Sequence, residues 1–128
     1  MPIDKNMPIL IVDDYKTMLR IIRNLLSQLG LNNVEEATDG TMAFSKLEQK
    51  EYKLVISDWN MEPMSGLELL KKIRADERFK TMPFIMITAE TKVDNVIVAK
   101  KEGVNNYIVK PFNAATLKSK LAAVFGPF

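Results

Sequence analysis

The chain has no cysteine and no histidine among its 128 residues. Without cysteine there is no disulfide framework and no thiolate metal site. Without histidine the commonest general base and the commonest zinc ligand are both missing, so serine-protease chemistry and a typical zinc site are excluded. No apolar run approaches the roughly 18 residues of a membrane-spanning helix. The opening Met1-Pro2-Ile3-Asp4-Lys5-Asn6 also lacks an apolar stretch of signal-peptide length. A cytoplasmic protein with no membrane partner is expected. What remains is ordinary for a soluble domain, with 47% hydrophobic and 27% charged residues. The length suits one domain over 1–128.

The net charge of +2 conceals an asymmetry. Residues 1–70 carry 7 Lys/Arg against 11 Asp/Glu, a balance of −4, and residues 71–128 carry 11 against 5, a balance of +6. The basic half is spread over several helical segments and lacks the arginine density of a nucleic-acid surface, so DNA is not expected as a partner.

Strand and helix signals alternate. Four short apolar runs each end on a residue able to handle phosphate or metal. Ile9-Leu10-Ile11-Val12 precedes Asp13-Asp14, and Leu54-Val55-Ile56-Ser57 precedes Asp58. Pro83-Phe84-Ile85-Met86-Ile87 precedes Thr88, and Tyr107-Ile108-Val109 precedes Lys110-Pro111. Continuous β-branched runs of this kind predict strands buried on both faces, as in a parallel sheet. Val34 to Ala37 is a weaker strand candidate, with Asp39-Gly40 as the turn behind it. Helical spacing runs over Thr17–Leu29, Met42 to about Glu51, Leu67–Ala75, Val93–Glu102 and Ala114–Phe125. Gly30 and Gly103 stop two of these helices, and Ser65 and Asn113 stand at the N-caps of two others. Strand–helix units repeated five times predict an α/β fold, a five-stranded parallel sheet with right-handed crossovers and helices on both faces.

In such a sheet the carboxyl ends of the strands share one edge, where open α/β sheets bind ligands. Asp13, Asp14, Asp58, Thr88 and Lys110 would converge there. Singly each is unremarkable, since an Asp pair suits a turn or helix cap and a lone Thr or Lys at a strand end carries no signal. Together they suit phosphate chemistry on a hard cation. Mg²⁺ takes oxygen ligands and keeps several waters, so one or two carboxylates suffice. A divalent cation also relieves repulsion among clustered carboxylates. Asp58 could act as a carboxylate nucleophile and form an acyl phosphate. The phosphoryl oxygens then need positive charge and donors, which Lys110 and Thr88 supply.

The chain resembles the receiver domains of response regulators, and among them the single-domain chemotaxis regulators. The resemblance covers residues 7–125. It rests on ILIVDD at 9–14, RNLL at 23–26, NNVEEA at 32–37, ISDWNM at 56–61, GLELLKKIRAD at 66–76, TAE at 88–90 and KPFNAATL at 110–117. It implies a flavodoxin-like, doubly wound sheet in the order 2-1-3-4-5 flanked by five helices. By resemblance Asp58 is the phosphoacceptor, and Asp14, Asp58 and the backbone carbonyl of Asn60 ligate Mg²⁺, with Asp13 acting through a bound water. Thr88 would contact the phosphoryl group, Lys110 would pair with it, and the Lys110-Pro111 bond would be cis. Tyr107 matches the switch aromatic that moves inward as Thr88 shifts. Thr91, Val96, Tyr107 and Lys120 would lie on the switching face of the fourth helix, fifth strand and fifth helix. Asn60 and Glu90 occupy positions that control dephosphorylation, and they match the chemotaxis pattern of a short-lived phosphoryl group.

The implied partners are a histidine kinase, the flagellar motor switch and a dedicated phosphatase. The protein is expected to be a monomer without an output domain, and not an enzyme beyond catalysing its own phosphorylation and dephosphorylation. A phosphate sink or phosphorelay receiver is the alternative use of the same chemistry. An aspartate-nucleophile phosphatase of the haloacid dehalogenase kind is remote, because those enzymes space two Asp residues as Asp-x-Asp, whereas Asp13 and Asp14 are adjacent. The chain departs from the family at Asp58-Trp59-Asn60-Met61-Glu62-Pro63, where receivers usually read Asp-x-x-Met-Pro. Glu62 takes the place of proline, which favours an extended backbone before Pro63 and puts a carboxylate where it could tune metal affinity or phosphoryl access. Ser65 replaces the family's usual Asp, and both residues cap helices. Trp59, the only tryptophan, adjoins Asp58 and is expected to report on the site.

Overall fold

The structure is a computed structural model that describes residues 4–88, 93–110 and 112–126, with the backbone alone for 93–96. Ten elements alternate along the chain. They are β1 (Ile9–Val12), α1 (Lys16–Gln28), β2 (Val34–Ala37), α2 (Gly40–Gln49), β3 (Leu54–Asp58), α3 (Gly66–Ala75), β4 (Phe84–Thr88), α4 (Val93–Lys101), β5 (Asn106–Val109) and α5 (Ala114–Phe125). All strand pairs are parallel, in the order β2-β1-β3-β4-β5. The expected topology is therefore observed.

Every residue of β1, β3 and β4 is buried, because each face of the sheet carries its own apolar layer. Successive side chains point to opposite faces. Ile9, Ile11, Leu54, Ile56, Ile85 and Ile87 accordingly pack with Leu19, Ile22 and Leu26 of α1 and with Leu117 and Leu121 of α5. Leu10, Val12, Val55, Phe84 and Met86 pack with Ala43, Phe44 and Leu47 of α2 and with Leu69, Leu70 and Ile73 of α3. β2, at the edge, alternates instead: Val34 and Ala37 are buried while Glu35 and Glu36 are half-exposed.

The helix ends follow local chemistry. α1 closes with Leu31 N–H on the Leu26 carbonyl and Gly30 N–H on that of Ser27, and Gly30 takes φ +84°. This is the closure that a left-handed residue permits. Ser65 and Glu68 form a reciprocal capping box on α3. Asn113 accepts the Thr116 N–H on α5. Asp39-Gly40, expected as a turn, opens α2. Asp39 accepts the Met42 N–H at 3.0 Å, and Gly40 is the first helical residue because a Cβ there would meet the Met64 side chain. At the amino-terminal edge of the sheet, Arg74 donates to the Gly103 carbonyl, to that of Met82 and to Asn105 Oδ1 at 2.7–3.0 Å, which ties α3 to the turn after α4.

Register aligns the carboxyl ends. Val12 pairs with Ser57, so Asp13 and Asp58 follow on neighbouring strands. Asp58 pairs with Ile87, so Thr88 comes next, and Thr88 pairs with Val109 just before Lys110. The β3–α3 loop is drawn over this edge by a close approach at Gly66, whose N–H donates to the Trp59 carbonyl at 2.9 Å. A Cβ on Gly66 would lie 2.1 Å from the backbone oxygen of Asp58, which cannot move aside. Gly66→Ala should therefore cost roughly 1–3 kcal/mol, read from the urea midpoint. Gly40→Ala should cost less, because the Met64 side chain it meets is flexible. Equal losses for the two substitutions would contradict this ranking.

Candidate phosphoacceptor and metal site

Three carboxylates meet at the carboxyl edge. Asp13 and Asp58 are buried and Asp14 is exposed, and one oxygen of each lies within 4.8 Å of the others. Among the described residues this is the one such acidic group. The Lys110 Nζ stands 3.0 Å from Asp58 Oδ1 and 3.8 Å from Asp13 Oδ2. The first distance is a hydrogen-bonded ion pair and the second is too long for a hydrogen bond.

Asp13 divides its two oxygens. Oδ1 accepts the Tyr15 N–H at 2.9 Å, which secures the entry to α1, since Tyr15 at the N-cap offers no side-chain bond. Oδ2 is buried without a hydrogen-bond partner. A buried carboxylate oxygen in that state carries a desolvation cost that an oxygen-seeking cation would remove. Desolvation is the largest influence on Asp13 and pushes its carboxyl up to about 6, with the negative charge of Asp58 adding to the rise. Burial likewise raises the Asp58 carboxyl, opposed chiefly by Lys110. The donor set is all oxygen, and it fits a hard divalent cation.

Other residues complete the wall. Thr88 is buried at the end of β4, and its carbonyl accepts the Lys110 N–H at 2.8 Å, so the two residues share a rung. Trp59 is half-buried beside Asp58, and its N–H donates to the Ile87 carbonyl at 2.9 Å. Asp14, Trp59, Asn60, Met61, Glu62 and Ser65 line one shallow cavity on the outer side of the carboxylates. Glu62 is exposed on that wall and stands outside the three-carboxylate group. The described ion pairs of Lys110 are with Asp13 and Asp58, not with Glu62. The cis bond in this loop is Glu62-Pro63. Tyr107 is half-buried on β5, and Lys120 reaches it from α5. Glu90, Thr91 and Pro111, and with Pro111 the expected cis bond, lie outside the described residues, as does the side chain of Val96.

Two contacts were not legible in the sequence. Ser57 Oγ donates to the Asp58 carbonyl at 2.9 Å, and Gly66 crosses the same carbonyl. The only signal for Gly66 was a glycine directly behind a capping serine. A separate cavity of about 510 Å³ opens between Tyr52, Phe79, Met82 and Phe125, and it contains none of the strand-end residues.

Asp13 generates a pH prediction. Its folded value of about 6 exceeds the usual 3.8. The folded protein therefore holds this proton more tightly, and stability from this group falls as pH rises from about 4 to about 6. Above that window the full cost remains, about 3 kcal/mol by the linkage constant. Asp13→Asn should stabilise the metal-free protein at neutral pH, and its advantage should shrink towards pH 4. Urea titrations at both pH values measure this, and an advantage that does not change with pH would contradict it.

Comparison with known proteins agrees with this geometry. The response regulator receiver domain family matches residues 9–122. The chain is 55% identical over 123 residues to chemotaxis protein CheY-3 of Vibrio cholerae, covering 96% of this chain and 95% of that protein. It is 51% identical over 119 residues to chemotaxis protein CheY of Pseudomonas aeruginosa, covering 93% and 96%. The crystal structure of Vibrio cholerae CheY4 superimposes with a TM-score of 0.85 at 34% identity, over 93% of this chain and 98% of that one. The receiver domain of a Pseudomonas aeruginosa sensor histidine kinase, with a magnesium ion coordinated in its active-site cleft, gives 0.84 at 28% identity, over 94% and 98%. The chain therefore belongs to the response regulator receiver domain family, among the signalling receivers of CheY type in chemotaxis.

Proposed function

We propose that Asp58 accepts a phosphoryl group from the phosphohistidine of a histidine kinase and that the modified protein binds the flagellar motor switch. The observation that carries this reading is the Lys110 ammonium 3.0 Å from Asp58 Oδ1, inside a cluster of three carboxylates. An oxygen of Asp58 attacks phosphorus, the bond from phosphorus to the histidine nitrogen breaks, and that nitrogen leaves with the electron pair and is protonated. Lys110 exchanges a carboxylate oxygen for phosphoryl oxygens, and the Thr88 hydroxyl donates to one of them.

The residues fit Mg²⁺, because the Asp13 oxygen without a hydrogen bond and the neighbouring carboxylates supply oxygen donors only. Asp14, Asp58 and the Asn60 carbonyl would hold it directly and Asp13 through water. When bound it supplies positive charge against the oxygens of the transferring group. The magnesium in the cleft of the related sensor-kinase receiver supports this choice. Tyr107 on β5 relays the change to the face that includes Lys120, where the partner docks. Asn60 and Glu90 set the lifetime of the phosphoryl group, and a dedicated phosphatase shortens it. The protein works as a monomer in the cytoplasm.

Binding to motor-switch and kinase fragments, with and without beryllofluoride plus Mg²⁺, tests this reading. Affinity for the motor switch should rise only with the mimic, and Asp58→Asn should abolish the rise. Equal binding in both states would remove the switching function. Trp59 emission should change on Mg²⁺ addition, and its silence at saturation would count against the metal site. Glu62 contributes a charge on the cavity wall shared with Asp14. Glu62→Gln should weaken Mg²⁺ binding about two- to threefold at low salt and less at high salt. An affinity unchanged at low salt would rule out tuning by Glu62.

A further inference from the structure

The Lys120 Nζ lies 5.0 Å from the centroid of the Tyr107 ring. This is the separation at which an ammonium is attracted by the face of an aromatic ring. The position of Lys120 is fixed independently of its charge, because its backbone carbonyl accepts the Asn106 Nδ2 at 3.3 Å. Asn106 in turn accepts the Tyr107 N–H through Oδ1 at 2.9 Å. The backbone of α5 at Lys120 is thereby tied to the first residue of β5.

Direction matters here. Asn106 pairs with Ile85 and Tyr107 with Met86, whereas Thr88 stands two residues further along β4, towards the phosphorylation edge. Lys120 is therefore anchored on the amino-terminal side of Tyr107 and Thr88 lies on its carboxyl-terminal side. A ring moved towards Thr88 is carried away from the backbone to which Lys120 is tied, so its present contact with the ammonium favours the placement observed here. The observed placement accompanies an intact Lys110–Asp58 ion pair, which belongs to the unmodified acceptor.

We propose that Lys120 is a positioning residue whose ammonium holds the Tyr107 ring away from Thr88 and so lowers the affinity of the phosphorylation site for its ligand. The inference rests on the reading of Tyr107 as the element that responds to Asp58. A ligand that favours one of two arrangements binds more weakly when the other is stabilised, by the factor of that stabilisation. A cation–ring contact at a partly exposed site is worth about a two- to fivefold factor. The same contact keeps the cation near the docking face and links partner recognition to the ring position.

The experiment is a beryllofluoride titration at saturating Mg²⁺ with Trp59 emission as the readout, which requires no partner protein. Lys120→Met should tighten beryllofluoride binding two- to fivefold. Lys120→Arg, which keeps a cation over the ring, should restore affinity towards that of the unsubstituted protein. In a Tyr107→Leu background, Lys120→Met should have no further effect, because the ring it acts through is gone. Circular dichroism establishes that each variant is folded. If Tyr107→Leu changes the affinity but Lys120→Met does not, Lys120 is not a positioning residue while the switch reading stands. If Tyr107→Leu itself leaves the affinity unchanged, the ring does not respond to the acceptor and both readings fail.

Discussion

The withdrawal of the Asp13 and Asp58 carboxylates from water, side by side at one edge of the sheet, is the constraint on which the rest of the structure depends. Burial raises both carboxyl groups, and like charge adds to the rise, from Asp58 at Asp13 and from Asp14 at Asp58. Two groups in this position cannot both be charged cheaply unless positive charge is brought between them. Lys110 supplies part of it, at 3.0 Å from one and 3.8 Å from the other. The remainder is a standing demand for a cation, and the proposed chemistry needs that same demand. The site is thus costly for the isolated fold and suited to the proposed phosphoryl transfer, the usual exchange between stability and function.

The sheet makes that concentration of charge possible. Only parallel strands bring four carboxyl ends to one edge, and parallel strands must be covered on both faces. The alternation of Ile9, Leu10, Ile11 and Val12 between two apolar layers is the local expression of that rule. The apolar runs therefore build the core and deliver the reactive residues in the same few positions. Surface ion pairs contribute little to this, because exposed pairs are weakly stabilising.

Most of the fold was legible in the sequence because its strands are unbroken apolar runs with a period fixed by burial on both faces. β2 was the weak strand, and its half-exposed Glu35 and Glu36 explain why its signal was faint. Asp39-Gly40 read as a turn because both residues favour turns. Only Met64, distant in sequence and packed against Gly40, shows why a glycine opens α2. In the site, the convergence of Asp13, Asp14, Asp58, Thr88 and Lys110 could be inferred from strand ends alone. The divided roles of the two Asp13 oxygens could not, since they depend on one backbone N–H two residues on. Nor could the approach of Gly66 to the Asp58 carbonyl or of Lys120 to Tyr107. Both are contacts through space between residues 8 and 13 positions apart, with no periodicity to announce them.

The carbonyl of Asp58 is held from two sides, by the Ser57 hydroxyl and by the backbone of Gly66, and the next residue is tied to β4 through the Ile87 carbonyl. The acceptor is in this sense a fixed jaw. Across the site from it, Thr88 and Lys110 are joined by a backbone rung from the Lys110 N–H to the Thr88 carbonyl. On the proposed reading, a response to a group added on Asp58 would therefore pass through Thr88 and Lys110, on the side of β4 and β5, because the Asp58 carbonyl is itself held in place.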